Sequence, residues 1–133
     1  MTKLKFDLND FRLDDDAVQN GVWIDFGGDA SMKIAPFDNP EFEDAFRKAN
    51  KPYSDLGRKP NDDEQEDIMC RTMANHILLE WKNVFEGEEE FLYSKENAYK
   101  LLIEVPRVRA KVITEAQKLE NYRAKAREAT TGN

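Results

Sequence analysis

A β-hairpin is the first element that the pattern of hydrophobic and polar positions predicts. Residues 22–26 alternate with a period of two, residues 30–35 place a lysine between two large apolar residues, and Gly-Gly-Asp at 27–29 separates the two runs. Alternating runs around a glycine turn are typical of a hairpin. Trp23 faces away from the apolar positions of its own run. If those positions are buried, Trp23 is exposed, and we expect an exposed tryptophan to be a partner-binding residue.

Two further segments flank this hairpin. Residues 4–8 also alternate and favour a third strand at the N-terminus. Behind the hairpin, Asn39 is a good helix N-cap and Pro40 suits the first helical position. Apolar residues at three-to-four spacing over 42–49 then predict an amphipathic helix, which we expect to end near residues 50–52.

The middle of the chain carries the strongest helical pattern. The acidic run at 62–67 suits a helix N-terminus, where negative charge is favourable. Apolar residues over 69–85 then fall within one half of a helical wheel, which predicts a core helix of about 20 residues, ended by the acidic, glycine-containing stretch at 86–90. The predicted inner face consists of Met69, Cys70, Met73, Ala74, Ile77, Leu78, Trp81, Val84 and Phe85.

Two helices are predicted in the last third of the chain. Ser94 is a suitable N-cap for a helix over 95–103, and Pro106 is placed to begin the last helix. In that last helix the apolar residues recur every 3.5 positions on average, which favours packing along a neighbouring helix, within the chain or in a second copy. They are Val105, Val108, Val112, Ala116, Leu119, Tyr122 and Ala126.

These elements together predict an α+β fold, mainly helical, with an N-terminal β-hairpin packed on three or four helices. The chain has 133 residues, which is about the size of one average domain. We expect one domain over residues 1–129 and a frayed C-terminal tail at 130–133.

The distribution of charge along the chain indicates where two copies of it could bind each other. The net charge is −7, yet residues 104–133 carry +3 and the first 103 residues carry −10. An acidic chain lacks the basic surface that nucleic-acid binding needs. A basic C-terminal helix meeting an acidic body on the next copy would give salt-sensitive, head-to-tail self-association. The candidate contact residues are Arg107, Arg109 and Lys111 with Asp62, Asp63 and Glu64, and Lys118, Arg123, Lys125 and Arg127 extend the basic set.

The sequence offers little catalytic or metal-binding chemistry. His76 is the single histidine, and Cys70, the single cysteine, lies about 120° away from it around a shared helix, so the two cannot share a proton or a metal ion. The acidic clusters at 14–16 and 62–64 lack the ligand spacing of a calcium loop. A strand follows the glycines at 27–28, whereas a phosphate-binding loop leads into a helix. We therefore expect no enzyme activity, no cofactor and no metal.

Localisation follows from the absence of long apolar segments. The longest apolar runs are a few residues, whereas a membrane span needs about 20. Four charged residues within positions 1–10 do not suit a secretion signal. We expect a cytoplasmic protein that does not bind membranes.

Several short phrases occur in the same order as in a known family. The sequence resembles the tail assembly chaperones of long-tailed bacteriophages of the siphovirus type over residues 20–125. The phrases are Gly21-Val22-Trp23-Ile24-Asp25-Phe26, Met32-Lys33-Ile34-Ala35, Asn39-Pro40-Glu41-Phe42, Lys51-Pro52-Tyr53, Ile77-Leu78-Leu79-Glu80-Trp81-Lys82-Asn83-Val84, Tyr93-Ser94-Lys95-Glu96-Asn97-Ala98 and Glu120-Asn121-Tyr122-Arg123. The chain departs from the family in the acidic loop at 60–67 and in the more basic stretch at 102–107.

The resemblance implies a non-enzymatic assembly factor in the host bacterial cytoplasm. Such a protein binds the tape-measure protein, keeps it soluble, recruits tail-tube protein and is absent from the finished virion. The resemblance also implies a longer, frameshifted form of the chain as a further partner.

Two other classes of function remain open at this point. An acidic DNA mimic that inhibits a nucleic-acid enzyme is compatible with the negative charge of the first 103 residues. A structural head-tail joining protein, retained in the particle, is compatible with the same elements.

Overall fold

The computed structural model describes residues 5–124 and shows an α+β fold that is mostly helical. A three-stranded antiparallel sheet has the strand order β1-β2-β3, and a separate two-stranded hairpin pairs β4 with β5. In chain order the elements are α1 (Asp15–Asn20), β1 (Val22–Gly27), β2 (Ala30–Ile34), α2 (Pro40–Asp55), α3 (Asp62–His76), β3 (Leu78–Lys82), β4 (Phe85–Glu86), β5 (Glu89–Glu90), α4 (Lys95–Glu104), α5 (Pro106–Gln117) and α6 (Leu119–Tyr122).

The predicted hairpin is confirmed as β1 and β2. Trp23 pairs with Lys33 across the two strands, and Gly27 and Gly28 supply the positive φ angles of the turn, 99° and 55°. Exposure alternates along β1, as the period-two pattern predicts. The hairpin does not pack on helices by itself, however, because β3 extends the sheet on the other side of β2.

The segment before the hairpin is not a strand, so that prediction is wrong for residues 5–8, and residue 4 lies outside the described part of the chain. Leu8–Phe11 form a 3-10 turn instead. The Asp7 carboxylate accepts the Asn9 N–H at 3.0 Å, and the Asp14 carboxylate likewise accepts the Ala17 N–H and begins α1. Aspartate side chains that bond nearby backbone in this way favour turns and helix starts over strands.

The predicted core helix over 69–85 is also wrong in its second half. Helix α3 ends at His76, Ile77 caps it in a helical backbone conformation, and β3 begins at Leu78. Trp81 pairs with Met32 on β2, and Ile77, Leu78 and Trp81 are buried as predicted. A short buried apolar run does not by itself distinguish helix from strand, and the open edge of β2 selects the strand here.

Two predicted helix ends differ from the structure. Helix α2 continues through Pro52 to Asp55, because a proline one turn from the end removes a single backbone donor. The last helix is broken at Lys118, where the Asn121 amide donates to the Glu115 carbonyl at 2.9 Å. Beyond this break Tyr122 enters the core and donates its hydroxyl to the Ile34 carbonyl at 3.1 Å. Ala126 and the predicted tail at 130–133 lie outside the described residues.

The other predicted helix starts are confirmed. Asn61 and Glu64 form a reciprocal capping box at the start of α3, Ser94 caps α4, and Pro106 is the first residue of α5. Helix α3 packs against α2 on one side and α4 on the other, and α5 packs on α4 and reaches β2. Among residues 5–124, no helix is long and apolar enough to cross a membrane.

Candidate partner-binding surfaces

His76 and Cys70 lie apart and have different neighbours. His76 is the last residue of α3, with its Nδ1 4.0 Å from a Glu41 carboxylate oxygen. Cys70 is fully buried, and the Arg109 guanidinium lies 3.6 Å from its Sγ. Burial raises the pKa of the Cys70 thiol, an effect that Arg109 partly opposes. The thiol is therefore a core group, kept in its protonated and less reactive form.

The acidic clusters act at helix starts. Asp14 and Asp62–Glu64 occupy the N-cap and the first turn of α1 and α3, respectively. Within the described residues, no group of three His, Cys, Asp or Glu side chains is arranged to hold a metal ion.

Trp23 lies on the outer face of the three-stranded sheet and is 41% exposed. Two ammonium groups approach its ring, the Nζ of Lys82 at 4.2 Å and that of Lys33 at 5.9 Å from the centroid. The lysines attract the electron-rich face of the indole and partly cover it. The exposure predicted for Trp23 is confirmed, and its ring lies between two lysines.

The three acidic candidates differ in how firmly the fold holds them. Asp62 and Asp63 are exposed at the first turn of α3. The Glu64 carboxylate accepts hydrogen bonds from both terminal guanidinium nitrogens of Arg58, at 2.9 and 3.1 Å, and from the backbone N–H of Asn61 at 3.0 Å. The ion pair with Arg58 and this backbone bond lower the pKa of Glu64 to about 2.

The basic candidates on α5 are mostly engaged within the chain. Arg109 donates to the Leu102 carbonyl at 3.0 Å and pairs with Glu66 at 3.3 Å. The Nζ of Lys111 lies 4.8 Å from the centroid of the Phe26 ring, while Arg107 is exposed. The structure thus docks α5 on its own chain, and Arg109 joins α5 to α3 and α4. Lys125 and Arg127, which extend the basic set predicted from the sequence, lie outside the described residues.

One open cleft lies where α2, α3 and α5 meet, with a volume of about 410 Å³. We call it the cleft. Its apolar floor is made by Phe46, Met69 and Ile113, one residue from each helix. The acidic side chains of Asp62 and Glu66 lie at its rim, and Arg109 is tied to Glu66.

A second hollow, here called the groove, lies between the β4–β5 hairpin and the corner joining α4 to α5, with a volume of about 250 Å³. Phe85 and Val105 lie at its mouth and are 55% and 39% exposed. Its floor consists of Met32, Val84, Phe91, Leu101 and Val108, and its charged residues are Glu86, Lys100 and Glu104.

Trp81 holds one wall of this groove. The Trp81 Nε1–H donates to the Phe91 carbonyl at 2.6 Å, and the two rings stack with centroids 5.5 Å apart. The Tyr93 ring meets the indole edge-on at 5.0 Å, and its hydroxyl donates to the Leu78 carbonyl. Trp81 is buried, as its place on the predicted inner face implies, and its contacts fix the segment that follows the short hairpin.

Exposed aromatic rings also occur near the N-terminus. Phe6 and Phe11 stack with centroids 4.9 Å apart and are 75% and 54% exposed, and Leu8 beside them is 63% exposed. We call these three residues the knob. Lys5 and Arg12, which flank the knob in sequence, are exposed.

Sequence reasoning missed both hollows and the knob. The cleft combines residues from three helices, so no single segment carries its signal. The groove depends on the β4–β5 hairpin, which the sequence shows only as an acidic stretch with a glycine. The knob carried a usable signal, because two phenylalanines five residues apart among aspartates are poorly suited to a buried strand.

A family model described as YdaY prophage protein matches residues 37–133. No curated protein and no solved structure matches the chain. The matched range includes every residue that lines the cleft, whereas Trp23 and the knob lie before it.

Proposed function

The chain belongs to the YdaY prophage protein family, and we propose that this phage-related protein acts as a tail assembly chaperone. In this role it binds the tape-measure protein in the host cytoplasm, keeps it soluble, recruits tail-tube protein and is absent from the mature virion. The ordered phrases over residues 20–125 that resemble tail assembly chaperones support this role, and they overlap most of the matched range.

The cleft is the observation that carries the proposal. Its floor of Phe46, Met69 and Ile113 offers an apolar surface. At the rim Glu66 is paired with Arg109, so Asp62 leaves one net negative charge there. An amphipathic helix docks by laying its apolar face into such a groove, and complementary charge on its flanks fixes the register. A helical segment with an apolar stripe and a basic residue placed to meet Asp62 is therefore the client that fits.

The small size of the cleft suits transient binding. An assembly chaperone has to release its client as the tail tube grows, so each contact must be weak. A short apolar contact leaves little free energy after the cost of association. Many copies bound along one long client would still keep it soluble, because each covers a different apolar segment.

The proposal is tested by co-expressing the chain with a tape-measure protein and measuring the soluble fraction of that partner. We expect the wild-type chain to keep the partner soluble, with several copies bound along its length. If the partner precipitates equally with and without the chain, the chaperone role is refuted.

A matched pair of variants tests the cleft itself. Asp62 lines the cleft, whereas Asp63 is its exposed neighbour in the same helical turn and does not line it. The two charge reversals Asp62→Lys and Asp63→Lys disturb the helix terminus to a similar degree. We expect only Asp62→Lys to lower the soluble fraction of the partner. Equal effects of the two variants would place client binding elsewhere.

The alternative roles have different readouts. A DNA mimic needs unpaired carboxylates in an array, but Asp44, Glu64 and Asp67 are paired with arginine or lysine of their own chain. Competition with a DNA-binding enzyme would reveal a mimic. Detection of the chain in purified particles by mass spectrometry would instead indicate a head-tail joining protein.

A further inference from the structure

Strand β1 lies at one edge of the three-stranded sheet, because the strand order is β1-β2-β3. One side of β1 pairs with β2, and among residues 5–124 no strand pairs with its other side. The backbone N–H and C=O groups on that other side are therefore free to pair with a strand of another chain. At the opposite edge, by contrast, the segment at 91–93 lies beside β3, where Tyr93 donates its hydroxyl to the Leu78 carbonyl.

The apolar side chains of β1 are incompletely covered in the single chain. Val22, Ile24 and Phe26 alternate with exposed residues but are themselves only partly buried. Ile24 and Phe26 also pack against the hydrophobic core. An added strand with apolar residues on the same face would remove this remaining area from water and extend the core. Strand β1 of a second copy carries such a face.

One antiparallel register of β1 with a second β1 suits these residues best. With the symmetry axis at Ile24, each Ile24 lies opposite its counterpart, and Val22 lies opposite Phe26 of the other copy, so apolar residues face each other. Moving the axis by one residue to Asp25 would place two carboxylates directly opposite, which is unfavourable. Moving it one residue the other way would place Phe26 opposite Asn20, which belongs to α1 and is not extended.

The outer face of the sheet favours the same register by its charges. The charged residues of this face carry no net charge and are Asp25, Lys33, Glu80 and Lys82. None of them takes part in an ion pair within residues 5–124. Asp25 lies on the edge strand, whereas Glu80 lies two strands away on β3.

Pairing about Ile24 brings Asp25 of each copy opposite Trp23 of the other. The Trp23 ring already has the Nζ of Lys82 at 4.2 Å and that of Lys33 at 5.9 Å from its centroid. Each copy therefore brings a carboxylate that lacks an ion pair towards two lysines of the other copy. Charge complementarity of this kind fixes the register of a contact.

Lys111 is the charged residue beside this edge on the inner face, with its Nζ 4.8 Å from the centroid of the Phe26 ring. In the register about Ile24, the two Phe26 residues lie at opposite ends of the paired strands, about 13 Å apart along them. The two Lys111 ammonium groups are therefore also at opposite ends and do not face each other.

We propose that two copies of the chain pair through the free edges of β1, antiparallel about Ile24, and form one six-stranded sheet. Both copies use the same surface, so the contact closes as a two-fold dimer. The head-to-tail association expected from the sequence would instead produce rings or open arrays. The inference does not depend on the client-binding role of the cleft, which is formed by α2, α3 and α5.

Sedimentation velocity of the full chain over a range of concentrations tests the proposal. We expect a monomer–dimer equilibrium. Asp25→Lys brings a further lysine towards Lys33 and Lys82 of the other copy and should weaken dimerisation about tenfold or more. Glu80→Lys makes the same change of charge on the same face, two strands away from the contact, and should leave dimerisation nearly unchanged.

Cysteine cross-linking tests the register. Ile24→Cys places two thiols directly opposite each other, at a Cα separation of about 4.5–5.5 Å that a disulfide can span. Val22→Cys, on the same face of the same strand, places the two thiols about 13 Å apart along the strands and is the matched control. The native Cys70 is fully buried and does not compete. Under mild oxidation we expect a covalent dimer from Ile24→Cys and none from Val22→Cys.

Three results would overturn the proposal. The first is a wild-type chain that stays monomeric at every concentration, which is also the result expected if the edge of β1 receives a strand of another protein. The second is equal association of the two charge variants, and the third is equal cross-linking of the two cysteine variants. Thermal unfolding of each variant verifies that it is folded, and the cysteine variants keep the test decisive if Asp25→Lys does not fold.

Discussion

The cleft and the groove are both open apolar hollows, but the fold holds their rims in different ways. At the cleft, Arg109 is fixed by the Leu102 carbonyl, by Glu66 and by the Cys70 thiol. At the groove, Phe85 and Val105 project into solvent. A charged rim residue is thus bonded within the fold at one hollow, whereas the large apolar residues at the mouth of the other remain partly exposed.

This difference bears on how each surface can be tested. A substitution at Arg109 changes stability and binding together, because the same guanidinium joins three helices. A substitution at Phe85 removes exposed apolar area and should leave the monomer intact. We therefore expect groove variants to keep the free energy of unfolding of the wild-type chain, and Arg109 variants to lower it.

The largest effect on stability is expected from a substitution in the core that supports both the cleft and the groove. Leu78 is fully buried in β3, the strand between the helical core and the segment that builds the groove. Leu78→Asp places a carboxylate in that core and should lower the free energy of unfolding by about 4 kcal/mol. Leu56→Asp, at an exposed position, should change it by less than about 0.5 kcal/mol. Chemical denaturation of both variants measures the difference, and equal stabilities would show that β3 is misplaced.

A smaller effect is expected at the rim of the cleft. Arg109→Met leaves the Leu102 carbonyl and Glu66 without their cation and should lower the free energy of unfolding by about 1–2 kcal/mol. Arg107→Met on the same helix removes an exposed guanidinium and should cost less than about 0.5 kcal/mol. Denaturant titrations compare the two. If both variants are equally stable, the contacts of Arg109 at the rim of the cleft do not contribute to the stability of the fold.

The smallest effect on stability is expected from Glu64, at the start of α3 beside the cleft. The pKa of Glu64 is lowered to about 2, chiefly by Arg58, so its carboxylate stabilises the fold above the usual glutamate pKa of about 4.3. That contribution is lost as the pH falls from about 4.3 towards 2. Glu64→Gln should be less stable than wild type at pH 7, with a gap that narrows at acidic pH. Thermal unfolding across this pH range measures it, and a constant gap would contradict the assignment.

Local signals were enough to predict the parts of the fold that depend on neighbouring residues. The glycine turn at 27–28, the Ser94 N-cap and Pro106 at a helix start each satisfy their requirements within a few positions. The strand at Leu78–Lys82 could not be predicted in this way, because its identity depends on pairing with β2, more than 40 residues earlier. Apolar periodicity alone was equally compatible with a helix there.

The candidate surfaces likewise divide into features that depend on neighbouring residues and features that depend on distant ones. The exposure of Trp23 follows from alternation within one strand and was predictable. The roles of Arg109 and Lys111 were not, because their partners Glu66 and Phe26 come from distant elements. The groove was hidden for a related reason. It needs Asn83, a non-glycine residue with a φ of 58°, to turn the chain from β3 into the short hairpin.

The hydroxyl of Tyr122 on the Ile34 carbonyl has a consequence for protein synthesis. The two residues are 88 positions apart, and Leu13 pairs with Arg123 close by, so the last described turn fastens the first third of the chain. On the ribosome, β1 and β2 emerge long before the residues that fasten them. The strands of the sheet can pair as soon as β3 has emerged, whereas the bond from Tyr122 and the Leu13–Arg123 bridge can form only after residues 122 and 123 have left the exit tunnel.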